Sequence, residues 1–292
     1  MPREKPPSTN GACAAMRRLR WLRTEEPRMS DDAERERRVA EVVRKTAVFQ
    51  LPGMDRVEIQ RERPYGDGGT FDLYVAASAL PAPTVLFVYG FPDPRFAQGL
   101  RQMGAYTSWG RLLAASGMNA VAYSYREPVS DLAALLAHLR QNAGALGIDA
   151  ARLGIWSASG NVPTALHLLM TQPPDTFRAA VLLYGYMLDV PEAAQQFGIG
   201  VPARGRNIDD LPRAVPLLVV RAGNDQTPML NVSLDAFVSA ALARDLPMTL
   251  LNQPGAPHSF DLFDDSDASR ATIRRVITFL GERLATSPSS TK

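Results

Sequence analysis

Three short stretches of the 292-residue chain carry side chain types suited to nucleophilic chemistry. In the first, Ser157-Ala158-Ser159-Gly160-Asn161 follows an apolar run at 152–156 and leads directly into Pro163-Thr164-Ala165-Leu166-His167-Leu168-Leu169. Strand, sharp turn and helix in that order lift one hydroxyl above a sheet. They aim it at a helix N-terminus, whose free amides stabilise a developing oxyanion. The second stretch, Gly223-Asn224-Asp225-Gln226-Thr227-Pro228, sets a carboxylate just beyond the run at 216–221. The third, Pro254-Gly255-Ala256-Pro257-His258-Ser259-Phe260, offers a histidine in a Gly/Pro loop. A serine hydroxyl is a poor nucleophile until a neighbouring base takes its proton, and that base needs an orienting carboxylate. Ser159, His258 and Asp225 are therefore the candidate nucleophile, base and orienter.

Competing readings exist for each position. A serine at the start of a helix is also an ordinary N-cap. Close crossing of strand and helix demands small residues two before and two after the nucleophile, as in G-x-S-x-G. Ser157 meets that demand, whereas Asn161 departs from it. His138 and His167 fall inside helical patterns, and Asp261, Asp264 and Asp265 follow His258 closely enough to read as a solvated turn.

The elements that must position these residues alternate along the chain. Apolar, often β-branched or aromatic runs occur at 56–62, 71–76, 84–89, 119–124, 152–156, 179–184, 216–221 and 247–251. Helical spacing lies between or after them, in Leu132-Leu135-Leu136-Leu139, in Leu234-Phe237-Val238-Ala241, and in Ile273-Val276-Ile277-Leu280-Leu284. The first two runs are joined by Gly66-Asp67-Gly68-Gly69, and strict alternation follows. This predicts an α/β fold with an eight-stranded, mostly parallel sheet and an antiparallel beginning, flanked by helices. In such sheets chemistry sits outside the carboxyl ends of the strands, where all three stretches fall.

Composition sets the surroundings. Hydrophobic residues make up 46% and charged residues 21%, enough for a sizeable core. No apolar run approaches the length of a membrane-spanning helix. A single cysteine, Cys13, and three histidines give no basis for a disulfide framework, a metal site or a cofactor. Residues 1–28 hold seven basic against three acidic residues, leaving 25 against 27 in the rest, so a nucleic-acid partner is not expected. Their Pro, Ser and Arg content reads as a disordered tail without the apolar stretch of a secretory signal, and Met29 is a possible true start. A transit peptide is the competing reading, weakened by Glu25 and Glu26. The expectation is a cytoplasmic protein with tails at 1–28 and 287–292 and a single domain over 29–286. That domain opens with a helix over 31–45, ahead of a core over 46–286.

The order Ser159, Asp225, His258 and its placement at strand ends resemble the α/β-hydrolase superfamily over about 240 residues. The Gly-x-Asp-x-x-Pro turn at Asp225 and His258-Ser259-Phe260 look most like the compact dienelactone-hydrolase and carboxylesterase group. The resemblance implies a serine hydrolase of carboxylic esters, with Ser159 as nucleophile, His258 as general base and acid, and Asp225 holding the imidazole tautomer. It implies oxyanion donors at the amides of Gly160 and, by position, Phe91, because Tyr89-Gly90-Phe91-Pro92-Asp93-Pro94 resembles the family's His-Gly turn. Serine in place of cysteine, and Leu262 where that group carries an arginine, argue against dienelactone itself. Tyr89, Gly90, Tyr186, Met187 and Arg126 are candidate pocket residues for a small ester. Arg126, Glu127 and Arg221 could equally form surface ion pairs. About 30 residues separate the runs at 179–184 and 216–221, room for a small or absent cap: a partial lid with Phe197, Ile199 and Val201, or one helix at 191–197. The other readings are a binding protein on the same scaffold, or a peptidase or acyltransferase using the same triad.

Overall fold

All eight apolar runs become strands of one sheet: β1 (Ile59–Tyr65), β2 (Gly69–Tyr74), β3 (Ala82–Phe87), β4 (Asn119–Tyr123), β5 (Ile148–Ala158), β6 (Ala179–Leu183), β7 (Leu217–Ala222) and β8 (Met248–Gln253). The computed structural model describes residues 41, 43–79, 81–90, 99–195, 200, 202 and 205–285. The chain divides into two units, Met1–Val43 and Arg44–Lys292, and the sheet belongs to the second. The expected tails, and most of the expected helix over 31–45, lie outside the described residues; Glu41, Val43 and Arg44 are helical.

The strand order is β1-β2-β4-β3-β5-β6-β7-β8. β1 and β2 pair antiparallel, as do β2 and β4, and every later pairing is parallel. β1 is shifted three residues beyond its apolar run and contains Pro64, which an edge strand tolerates because its outer side needs no N–H. β4 and β6 are buried along their whole length, as expected of interior strands covered on both faces.

The connections are α1 (Gly104–Ala115), α2 (Pro128–Gln141), α3 (Ala143–Leu146), α4 (Val162–Thr171), α5 (Glu192–Gln195), α6 (Leu230–Leu242), α7 (Phe260–Phe263) and α8 (Asp267–Ala285). In α2 the buried residues are Leu132, Leu135, Leu136 and Leu139, the i, i+3, i+4, i+7 stripe of the sequence. Below the carboxyl end of β5, Trp156 packs edge-on to Phe87 at 5.3 Å and against Trp109 of α1 at 5.1 Å. These rings form a stiff floor for the turn that follows β5.

A buried ion pair also lies outside the expected pattern. Asp72 of β2 is fully buried and accepts from Arg101 (2.7 Å), from Arg61 (3.3 Å) and from the amide of Glu62 (2.9 Å). Glu62 sits at φ 54° where the β1–β2 register shifts, so the bulge turns its amide toward the carboxylate.

Candidate active site

Ser159 is the first residue after β5 and adopts φ 58°, a left-handed conformation costing a non-glycine residue about 1–3 kcal/mol. The surrounding structure holds it there. Ser157, fully buried, donates its hydroxyl to the Val88 carbonyl at 3.0 Å, which ties the end of β5 to the segment leaving β3. On the other side, Ser159–Asn161 form a single tight turn that runs straight into α4, with Pro163 in its first turn.

The histidine and the aspartate arrive on two loops joined by their backbones. Gly223 donates its N–H to the Gln253 carbonyl at 2.8 Å, and Asn224 donates to the Ala256 carbonyl at 2.9 Å. A Cβ on Gly223 would lie 2.5 Å from the Pro254 backbone, so the approach of the two loops requires glycine there. His258 then places Nε2 2.9 Å from the Ser159 hydroxyl and Nδ1 2.6 Å from an Asp225 carboxylate oxygen. An ionised carboxylate only accepts, so Nδ1 carries the proton and Nε2 is free to take one from the serine. The other Asp225 oxygen accepts from the Thr227 amide at 2.8 Å. Burial alone would raise the Asp225 pKa, but the bonds from His258 and Thr227 outweigh it and hold the carboxyl below the ordinary carboxylate value. The Asp225 side chain is 0% exposed and that of His258 30%.

Asp261 corrects the reading of a solvated turn after His258. It is 1% exposed, with its oxygens accepting from Tyr184 Oη at 2.6 Å and Trp109 Nε1 at 2.7 Å. Burial pushes its carboxyl above the ordinary value despite those bonds. The Tyr184 ring in turn meets His258 edge-on at 5.1 Å and Phe260 at 5.6 Å, forming a buried support for the histidine loop. Asp264 and Asp265 behave as expected of a turn: Asp264 accepts from Ser266 and Ser269, and Asp265 pairs with Arg270.

The remaining candidates separate. Gly160 and Asn161 are buried in the turn, and Gly90 donates its N–H to Asn161 Oδ1 at 2.8 Å; Phe91 lies outside the described residues. Tyr89 is fully buried among Tyr106, Tyr123 and Tyr125, so its ring belongs to the core beneath the site and is not a pocket wall. Tyr186 and Met187 are likewise buried: Tyr186 donates to the Pro228 carbonyl at 2.7 Å and the Met187 amide to Ser233 Oγ at 3.1 Å. They anchor the chain leaving β6 onto the start of α6. Arg126 donates to the Asp67 carbonyl in the β1–β2 turn, and Arg221 pairs with Asp235 at 2.7 Å, both at the surface. His138 packs against Phe71 in α2, and His167 lies in α4. Between β6 and β7 the described chain holds only α5 and a short turn at Ile208–Asp210; Phe197, Ile199 and Val201 lie outside the described residues. Among the described residues no group of three or more His, Cys, Asp or Glu is placed to hold a metal ion, and no helix is long and apolar enough to cross a membrane.

No family model matches the chain, and no curated protein matches it. Solved structures do. Esterase 2 of Thermogutta terrifontis, phosphonylated by sarin, is similar at TM-score 0.57 and 20% identity, over 80% of this chain and 96% of that one. Esterase B from Lactobacillus rhamnosis gives TM-score 0.62 and 16% identity over 87% and 94%. A bacterial heroin esterase gives 0.61 and 15% over 82% and 88%. With the strand order above, the likeness establishes the α/β-hydrolase fold for this chain.

Proposed function

We propose that the protein is a serine hydrolase of carboxylic esters, acting on small molecules with short acyl groups through an acyl-enzyme. The observation that carries this reading is the line from the Ser159 hydroxyl through His258 to Asp225, with 2.9 and 2.6 Å links at the ends of three parallel strands. Esterase neighbours of the same fold support it. His258 Nε2 takes the Ser159 proton as the oxygen attacks the ester carbonyl carbon. The resulting oxyanion is met by the amide of Gly160 and, by its place in the chain, that of Phe91. Collapse breaks the carbon–alkoxy bond, and His258 returns the proton to the departing alcohol. Water, deprotonated by the same nitrogen, then cleaves the acyl-serine, releasing the acid and restoring Ser159. Among the described residues, the connection between β6 and β7 holds only α5 and the turn at Ile208–Asp210, little to cover a long chain, and each buried methylene contributes about 0.8 kcal/mol.

Nitrophenyl esters from two to sixteen carbons test both parts. Turnover is expected on the short members, falling about a millionfold in kcat for Ser159→Ala. A kcat/KM that still rises beyond about eight carbons contradicts the short-acyl reading, and undiminished turnover in Ser159→Ala contradicts the mechanism.

A further inference from the structure

Asp261 is a buried carboxylate that the reaction above leaves without a task. We propose that it is a positioning residue for His258, acting through Tyr184: it holds the Tyr184 ring against the imidazole, and its charge favours the imidazolium that forms as Ser159 attacks. The inference rests on the hydrolase reading above and adds to it a residue that touches neither substrate nor Ser159.

A carboxylate stripped of water needs compensation. Asp72 has it in Arg101 at 2.7 Å, whereas Asp261 accepts from two neutral donors, Tyr184 Oη at 2.6 Å and Trp109 Nε1 at 2.7 Å. Among the described residues, the titratable groups that face it are Tyr184 after β6, Tyr106 of α1 and His258 of its own loop. Of these, His258 is the one that can become a cation. Tyr184 spans the gap between them. Its hydroxyl is on Asp261, its ring meets the imidazole edge-on at 5.1 Å, and its amide donates to the Val220 carbonyl of β7 at 2.7 Å. Both sides of this contact are strained: Tyr184 adopts φ 33° and Ser259, next to His258, φ 54°. Such backbones persist where their neighbours over-determine them. The paired loops and Asp225 already locate His258, but the bonds at its two nitrogens define a line from Asp225 to Ser159 and resist tilt about that line least. A ring packed against the imidazole resists that tilt, and Asp261 fixes the ring.

Two conservative variants separate the charge from the ring. Asp261→Asn keeps the shape and can keep both bonds, its Oδ1 accepting from Trp109 and its Nδ2 donating to Tyr184, so it removes the charge alone. The imidazolium is then less favoured. The acid limb of kcat/KM on nitrophenyl butyrate, and the His258 titration followed by NMR in the resting protein, are expected to move down by about half a pH unit. A purely structural role would lower the urea midpoint and leave the His258 titration in place. Tyr184→Phe keeps the ring but releases its bond to Asp261. Its kcat is expected to fall about tenfold, with KM changed less than about threefold. Both variants are compared with wild type by urea unfolding, and Tyr184→Phe carries the test if Asp261→Asn fails to fold. A folded Asp261→Asn whose His258 titration stays within about 0.2 unit of wild type, or a folded Tyr184→Phe with kcat within about twofold, overturns the proposal, while wild-type turnover and labelling leave the hydrolase reading intact. A wild-type protein that neither hydrolyses esters nor takes a fluorophosphonate overturns both.

Discussion

Two carboxylates near His258 face opposite electrostatic fates, which separates their contributions by pH. Asp225 is held below the ordinary carboxylate pKa by its hydrogen bonds, so it contributes stability above about pH 4 that is lost as pH falls through its folded-state value. Asp261 is pushed the other way by burial, so its ionisation opposes folding increasingly as pH rises above about 4. Urea midpoints from pH 3.5 to 7 should therefore show Asp225→Asn becoming more costly toward neutrality and Asp261→Asn less costly; parallel curves would contradict the assignment. Asp225→Asn should also lose about 10⁴ in kcat through the wrong imidazole tautomer, whereas Asp261→Asn, which acts behind Tyr184, should lose far less. The meeting of Ser159, His258 and Asp225 was readable because each follows an apolar run at a strand end. Asp261 was not, because its burial is decided by Trp109 and Tyr184, 152 and 77 positions away, and nothing local distinguishes it from Asp264. The same holds for Tyr89, Tyr186 and Met187: type and position suggested a pocket, while neighbours from other elements buried them.

At the scale of elements, the antiparallel end of the sheet depends on one buried ion pair. Arg101, just before α1, reaches Asp72 on β2 at 2.7 Å and Glu62 in the β1 bulge at 3.0 Å. Truncating Arg101 to Ala leaves the Asp72 carboxylate buried without its shortest partner, which should cost about 3–5 kcal/mol in urea unfolding. The double replacement Arg101→Met with Asp72→Leu should recover much of that loss, because no charge is then stranded. A loss below about 1 kcal/mol for Arg101→Ala would show that the pair is dispensable. Neither the pair nor helix α1 stood out in the sequence. Periodicity marks faces of strands and helices, whereas an ion pair between residues 72 and 101 depends on topology. Strand existence was legible throughout; strand ends were less so, as β1 and the early start of β5 at Ile148 show.

Across the whole molecule, the parallel arrangement of β3, β5, β6, β7 and β8 brings their carboxyl ends to one side. That is why side chains at 159, 225 and 258 meet at all, and why alternation alone was enough to foresee where they would converge. The sheet order was not readable in the same way, since the crossing that places β4 between β2 and β3 leaves no mark on composition. Because 99 positions separate Ser159 from His258, the reactivity of Ser159 should exist only in the folded chain. The most direct test is labelling with a fluorophosphonate probe along a urea series, followed by peptide mapping. One adduct is expected, on Ser159, whose rate collapses across the unfolding transition and is lost in His258→Ala. An adduct on Ser157, or no adduct on the folded protein, would contradict it.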